Sequence, residues 1–175
     1  RLAVERKLEE QTRAMFRGET VNVSEGRPAL HVALRMPRSR SLVVNGVDVV
    51  KEVHEELERM NGLAEQLRTG AWLGATGRPI RAVVNIGIGG SDLGPAMAYE
   101  ALRPVTAREL GLRFVSNVDP ASIGRALDGL DPAETLFVVV SKTMSTLETI
   151  ENAKAARAWL EGALGGEGLE RHFVG

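Results

Sequence analysis

Apolar and polar positions follow two different rhythms along the chain. From Ile80 onward, short runs that are apolar at successive positions, IRAVVNIGI, LRFVSNV and ETLFVVV, alternate with stretches of helical spacing, SDLGPAMAYEAL, DPASIGRALDGL and STLETIENAKAARAWLEGAL. Strands apolar at every position are buried on both faces, and three strand–helix pairs of this length predict a doubly wound parallel α/β sheet with right-handed crossovers. RHFVG, from Arg171, reads as a fourth strand.

The first 70 residues carry the helical rhythm instead. Leu2, Leu8 and Phe16 among charges predict one amphipathic helix over residues 1–17, stopped by Gly18. Ser24, ahead of Pro28 and the apolar side Leu30, Ala33 and Leu34, predicts a capped short helix. From Val50 an apolar stripe at Val53, Leu57, Met60, Ala64 and Leu67 predicts a long helix ended by Gly70, with His54 on its solvated, charged face. His31 has no second catalytic group near it in sequence and reads as structural or partner-facing. The organisation expected is a helical segment over 1–70 and an α/β domain over 71–175, joined by the loop LRTGAWLGATGRPI.

Composition narrows the function. The 22 basic residues are interspersed among 23 acidic ones, for a formal net charge of -1, so no electrostatic footprint for nucleic acid exists. The absence of cysteine excludes a disulfide framework, a thiolate zinc site and a cysteine nucleophile, and fits a reducing, cytoplasmic compartment. No apolar run is long enough to span a bilayer, and RLAVERKLEE lacks the apolar centre of a signal peptide. Beginning at Arg1 and ending on RHFVG, an apolar start without a finish, the chain reads as part of a longer polypeptide.

Ligands of doubly wound sheets sit at the carboxyl ends of the strands, which directs attention to the loops GIGGSDLG, SNVDP and SKTMST. The first is not a dinucleotide fingerprint. Counting from Gly87 and Gly89, the sixth position is Asp92 and the next glycine, Gly94, comes too late; the lysine of a nucleotide-hydrolase loop is missing as well. Asp119 is the one residue that imitates a ribose-binding acid. What GIGGS offers is a backbone a ligand can approach closely, with the Ser91 hydroxyl at a helix start. In SKTMST, Ser141, Thr143, Ser145 and Thr146 gather hydroxyls where backbone N–H groups and the positive helix end converge, an arrangement suited to a phosphate. Lys142 either adds charge or contributes only its amide. A capping box over STLE, with Glu148 reaching back to Ser145, is compatible with the same residues, because one hydroxyl suffices for a cap.

NIGIGGSDLGP at 85–95 and SKTMSTLETIENA at 141–153, with SNVD between them and MFRGETVNVSEGRPALHVALR upstream, resemble the signature segments of the glucose-6-phosphate isomerase family, in order and spacing. The resemblance runs from about Met15 to the last residue. It implies a reversible aldose–ketose conversion between glucose 6-phosphate and fructose 6-phosphate through an enediol, without metal or organic cofactor, in a cytoplasmic homodimer. By motif position, Gly90 and Ser91 would meet the sugar phosphate's surroundings. Ser141, Lys142, Thr143 and Thr146 would hold the phosphate, and Glu148 would cap the helix and support the loop from behind. Methionine at 144 and serine at 145 replace an aromatic residue and a threonine common in the family. The family's glutamate base, histidine, arginine and lysine come from segments C-terminal to anything here, so the resemblance implies no catalytic residue in this chain. Residues 71–175 would then be a first sugar-isomerase (SIS) domain truncated at its C-terminal end. Two alternatives are a free-standing regulatory module that binds a sugar phosphate and a nicotinamide-dinucleotide enzyme.

Overall fold

The computed structural model describes residues 1–106 and 110–175. The chain divides into two compact units, Arg1–Gly62 and Leu63–Gly175.

In the first unit the expected N-terminal helix is two helices, α1 (Leu2–Glu5) and α2 (Leu8–Phe16), broken at Lys7, whose φ of 51° is left-handed. Neither helix buries a residue. Isolated helices this short are marginal without tertiary packing, and exposed pairs such as Arg1–Glu5 add little. Gly18, with φ of 74°, does end α2 as expected. The capped helix expected after Ser24 does not form. The chain instead makes a short antiparallel pair, β1 (Thr20–Asn22) and β2 (Arg27–Pro28), and the Ser24 hydroxyl donates to Asn22 Oδ1 inside the intervening turn at 2.8 Å. A 3₁₀ helix follows over Leu30–Arg35, burying Val32 and Ala33 while Leu34 stays exposed.

A second hairpin, β3 (Val43–Val44) and β4 (Val47–Asp48), turns on Asn45 and Gly46, both at positive φ, as a two-residue Asn-Gly turn requires. The hydrophobic pattern alone does not reveal it; the Asn-Gly pair is its signal. Asp48 then launches α3 (Val49–Thr69): its Oδ1 accepts from the amides of Val50, Lys51 and Leu42 at 3.1–3.3 Å. Val32, Ala33, Leu42 and Val50 form the core of this unit. His54, expected in solvent, is half-buried, and its Nε2–H donates to the Met36 carbonyl at 3.0 Å, a long-range partner no periodicity could announce.

The division between the units falls within α3, which Gly70 ends with φ of 73°. The second unit is built on β5 (Ala82–Ile86), α4 (Gly90–Leu102), β6 (Gly111–Val115), α5 (Pro120–Leu127), β7 (Thr135–Val139), α6 (Leu147–Leu164) and β8 (Phe173–Val174). All four strands are parallel, in the order β6-β5-β7-β8. Period-two alternation divides each strand between two cores, so Val84, Ile86 and Phe137 pack with Ile123, Ala156 and Leu160 of α5 and α6. On the opposite face Val83 and Leu136 pack with Ile80, Leu67 and Trp72. This is the doubly wound α/β sheet expected, and RHFVG supplies its fourth strand.

The chain steps from β5 outward to β6, then crosses back over β5 to β7. The crossovers therefore change direction beside β5, and the crevice between the carboxyl ends of β5 and β7 is the switch point where ligands of such sheets bind. Far from it, at the amino-terminal end of β7, His172 is completely buried. Its Nδ1–H donates to the Thr135 carbonyl at 2.7 Å and its Nε2 accepts from the Ala75 amide at 2.8 Å, which fixes one neutral tautomer.

Candidate functional site

The loop after β5 enters the crevice through glycines. Gly89 has φ of 59° and ψ of -119°, a conformation open essentially only to glycine, and Gly90 begins α4. Gly87 is required for another reason: a Cβ there would lie 2.8 Å from both the Cβ and the carbonyl oxygen of Ser91. Gly90 is exposed and Ser91 half-buried, so this turn presents backbone and one hydroxyl. Next to it Asp92 is buried, and its Oδ1 has no hydrogen-bond partner among the described residues. A carboxylate in the first turn favours the helix dipole, and it also opposes a second anion at this helix end. α6 carries a first-turn carboxylate too, Glu148, so what distinguishes its amino end is the set of hydroxyls gathered before it.

The loop before α6 is a ring of hydroxyls. Ser141 Oγ lies 3.4 Å from Thr146 Oγ1 and accepts from the Met144 amide at 3.1 Å, while Thr143 and Ser145 share a hydrogen bond of 2.6 Å. Met144 stands at φ of 50°, left-handed backbone that costs a non-glycine residue about 1–2 kcal/mol, so the turn is held by the hydroxyls around it. Ser141 and Thr146 are half-buried, and Lys142 and Thr143 exposed. The helix starts one residue later than the STLE box requires: Thr146 is the N-cap and makes no side-chain capping bond. Glu148 is consequently the second helical residue rather than the third, the position from which a capping glutamate reaches back, and the capping role expected for it is not formed. The first-turn amides of α6 are left without a side-chain cap, pointing toward the hydroxyl ring.

A cavity of about 310 Å³ opens beside this loop; Ser141 and Thr149 line it, but its walls are mostly Val139, Met144, Ile150, Ala153 and Phe173, with Lys154 and Arg157. Those two cations are already paired, with Glu151 and Glu161 at 2.7 Å each. An apolar cavity suits no phosphate, and the hydroxyl ring at its rim is the chemically competent feature.

The third loop is braced rather than open. Asn117 Oδ1 accepts from the Asp119 amide, and Asp119 Oδ1 accepts from Ala121 at the start of α5, both at 2.9 Å. Asp119 thus acts as a helix cap, not as a free acid for a ribose. Buried Asn152 of α6 donates from Nδ2 to the Asn117 carbonyl at 3.0 Å, tying this loop to the helix behind the hydroxyl ring. Among the described residues no group of three or more histidines, cysteines and carboxylates is placed to hold a metal, and no helix is long and apolar enough to cross a membrane. Of the histidines, His172 belongs to the core at the opposite end of the sheet and His54 to the first unit, where Met36 engages it.

Sheet order, helix placement and crevice define a three-layer α/β/α protein of the sugar-isomerase type. The family model for phosphoglucose isomerase matches residues 1–175, and the chain belongs to that family. A glucose-6-phosphate isomerase of Anaeromyxobacter dehalogenans is 63% identical over 174 residues, which is 99% of this chain and 32% of that protein. The glucose-6-phosphate isomerase of Frankia casuarinae is 60% identical, over 95% of this chain and 30% of its own length. Among solved structures, a glucose-6-phosphate isomerase from Chlamydia trachomatis superposes with a TM-score of 0.78 at 31% identity, covering 98% of this chain and 32% of that one. The chain therefore spans about a third of the length of the curated relatives it matches.

Proposed function

We propose that this chain supplies the sugar-phosphate-binding loops of an aldose–ketose isomerase that interconverts glucose 6-phosphate and fructose 6-phosphate through an enediol, in glycolysis and gluconeogenesis. The observation that carries the proposal is the hydroxyl ring Ser141–Thr146 set before the uncapped first turn of α6 at the switch point of the sheet. A phosphate monoester offers several strong acceptors, and hydroxyls with free amides at a helix N-terminus satisfy them without a fixed arginine. In this reading Ser141, Thr143, Thr146 and the Lys142 segment grip the phosphate, Gly90 and Ser91 meet the sugar phosphate's surroundings, and Glu148 supports the loop from behind. Residues 71–175 act as the first sugar-isomerase domain.

Moving a proton between the two sugar carbons needs a base within hydrogen-bond reach of substrate. Within the second unit His172 belongs to the core at the opposite end of the sheet, and Asp92 and Asp119 are held by burial and by capping. We assign the base to parts of the longer relatives that this chain does not span, along with homodimer formation in the cytoplasm and turnover without a cofactor. Replacing Ser141 and Thr146 together by alanine is expected to weaken binding of inorganic phosphate by about tenfold or more, the equivalent of one or two lost charge-assisted hydrogen bonds. Unchanged affinity, measured by calorimetry against the unaltered chain, removes the phosphate assignment.

A further inference from the structure

α6 buries one stripe of side chains, Thr149, Asn152, Ala156 and Leu160. Ala156 and Leu160, in the half away from the crevice, join the apolar core with Val84 and Phe137. Thr149 and Asn152, in the half beside the hydroxyl ring, are polar, and each is 2% exposed. Asparagine is a poor helix former, and its amide is costly to bury without a partner. Asn152 finds that partner in the loop after β6, although α6 itself follows β7 on the far side of β5: Nδ2 donates to the Asn117 carbonyl at 3.0 Å. Asn117 is an exposed residue with water at hand, so the loop does not depend on this donor. Leucine at 152 would continue the apolar stripe and favour the helix. The bond therefore has no return in local stability.

Its return lies at the amino end of α6. The bonds of the hydroxyl ring join Ser141 with Thr146, Thr143 with Ser145 and the Met144 amide with Ser141, which fixes the shape of the ring and not the place of the helix behind it. Packing of Ala156 and Leu160 is non-directional and tolerates small shifts along the helix axis. A hydrogen bond weakens steeply once its angle or length departs from the optimum. Asn152 stands in the second turn of α6, so its bond sets the height and rotation at which the first-turn amides face the ring.

We propose that Asn152 is a positioning residue for the phosphate, fastening the amino half of α6 to the loop after β6 so that the first-turn amides and the hydroxyl ring meet one phosphate group together. Charge-assisted bonds to an anion are short and directional, so a small displacement of the helix weakens several of them at once. Asn152 acts through the helix and not on the ligand. This rests on the reading of the hydroxyl ring given under the proposed function.

The test measures inorganic phosphate binding by calorimetry, and thermal melting, on the 175-residue chain, on Asn152→Leu and on His172→Leu. Leucine has the branched outline of asparagine without its donor, so Asn152→Leu is expected to melt within about 4 °C of the unaltered chain. Its phosphate affinity is expected to fall about tenfold. His172→Leu, which loosens the far end of the same sheet, is expected to melt lower and to keep phosphate affinity within about twofold. Phosphate affinity unchanged in Asn152→Leu overturns the inference, by showing that the bond only satisfies a buried amide. Should Asn152→Leu lose both stability and affinity, an equal loss of affinity in His172→Leu overturns it as well, and retained affinity there supports it. If Asn152→Leu fails to fold, Asn152→Ala, which leaves space in place of added bulk, decides the same comparison. An unaltered chain that binds no phosphate, or that binds it equally after Ser141 and Thr146 are both replaced by alanine, overturns the proposed function and this inference with it. One that depends on Ser141 and Thr146 but not on Asn152 overturns this inference alone.

Discussion

Single residues here earn their places by what they bond across long stretches of sequence. His172 is the clearest case, joining Thr135 and Ala75 through its two ring nitrogens, and the space it fills explains Gly74, where a Cβ would come within 2.6 Å of the imidazole Cε1. Replacing His172 by leucine takes the partner from the buried Thr135 carbonyl, at a cost of about 1–3 kcal/mol, and from the half-buried Ala75 amide, at less. Urea denaturation is expected to show that loss with the slope of the transition unchanged; a midpoint that does not move would mean the imidazole bonds contribute nothing net. Nothing in the sequence around His172 announces this role, since a buried imidazole bonded to backbone has no local pattern. Ser141 and Thr146 were legible as candidates because their density before a helix exceeded what capping needs. Asn152 was not, since its role depends on a carbonyl 35 residues earlier in the chain.

Elements divide according to how much of their stability is local. The strands β5, β6 and β7 and helices α4, α5 and α6 could be read from their runs, because strands buried on both faces have to be apolar at nearly every position and the helices between them must return the chain to the sheet. Where local signals compete, tertiary context wins. The helix expected over 1–17 breaks at Lys7, whose backbone is left-handed, and only its second part reaches the core, through Met15; Ser24 joins a turn because the segment after it pairs as a strand. The capping box at α6 fails by one residue because Met144, in left-handed backbone, turns the chain before Thr146. α5, by contrast, has the cap its sequence offers, and at eight residues it depends on it. Asp119→Ala is expected to destabilise the second unit by about 0.5–2 kcal/mol, with Asp119→Asn largely retaining stability. Equal stability of the alanine and asparagine variants in thermal melts would show that packing of Ile123 and Ala126 suffices.

For the whole molecule, acid is the most informative perturbation, because carboxylates in both units are held below their ordinary range. In the first, hydrogen bonds from Ser41 and from the amides of Lys51, Leu42 and Val50 lower Asp48. In the second, the Ala133 amide and the Arg78 guanidinium, the latter at 2.7 Å, lower Asp131. A carboxylate with a depressed folded-state pKa binds fewer protons folded than unfolded, so its stabilisation is complete above the usual value of about 4 and is lost as pH falls through the folded value. Loss of these two carboxylates is expected to lower unfolding midpoints as pH falls below about 4; Asp131→Asn should flatten that part of the decline in the second unit. A decline already complete above pH 5 would assign the acid sensitivity to other groups. What the chain's own order of residues determined was the class of sheet, the number and sequence of its strands, and the loop with surplus hydroxyls, since these follow from burial and hydrogen-bonding capacity that neighbours in sequence express together. Only the tertiary structure decided which loops share the crevice, that the hydroxyls bond one another, and that the Asn152 amide of α6 reaches the loop after β6. Those depend on strand order and on contacts between residues far apart along the chain, and no stretch of sequence holds both partners.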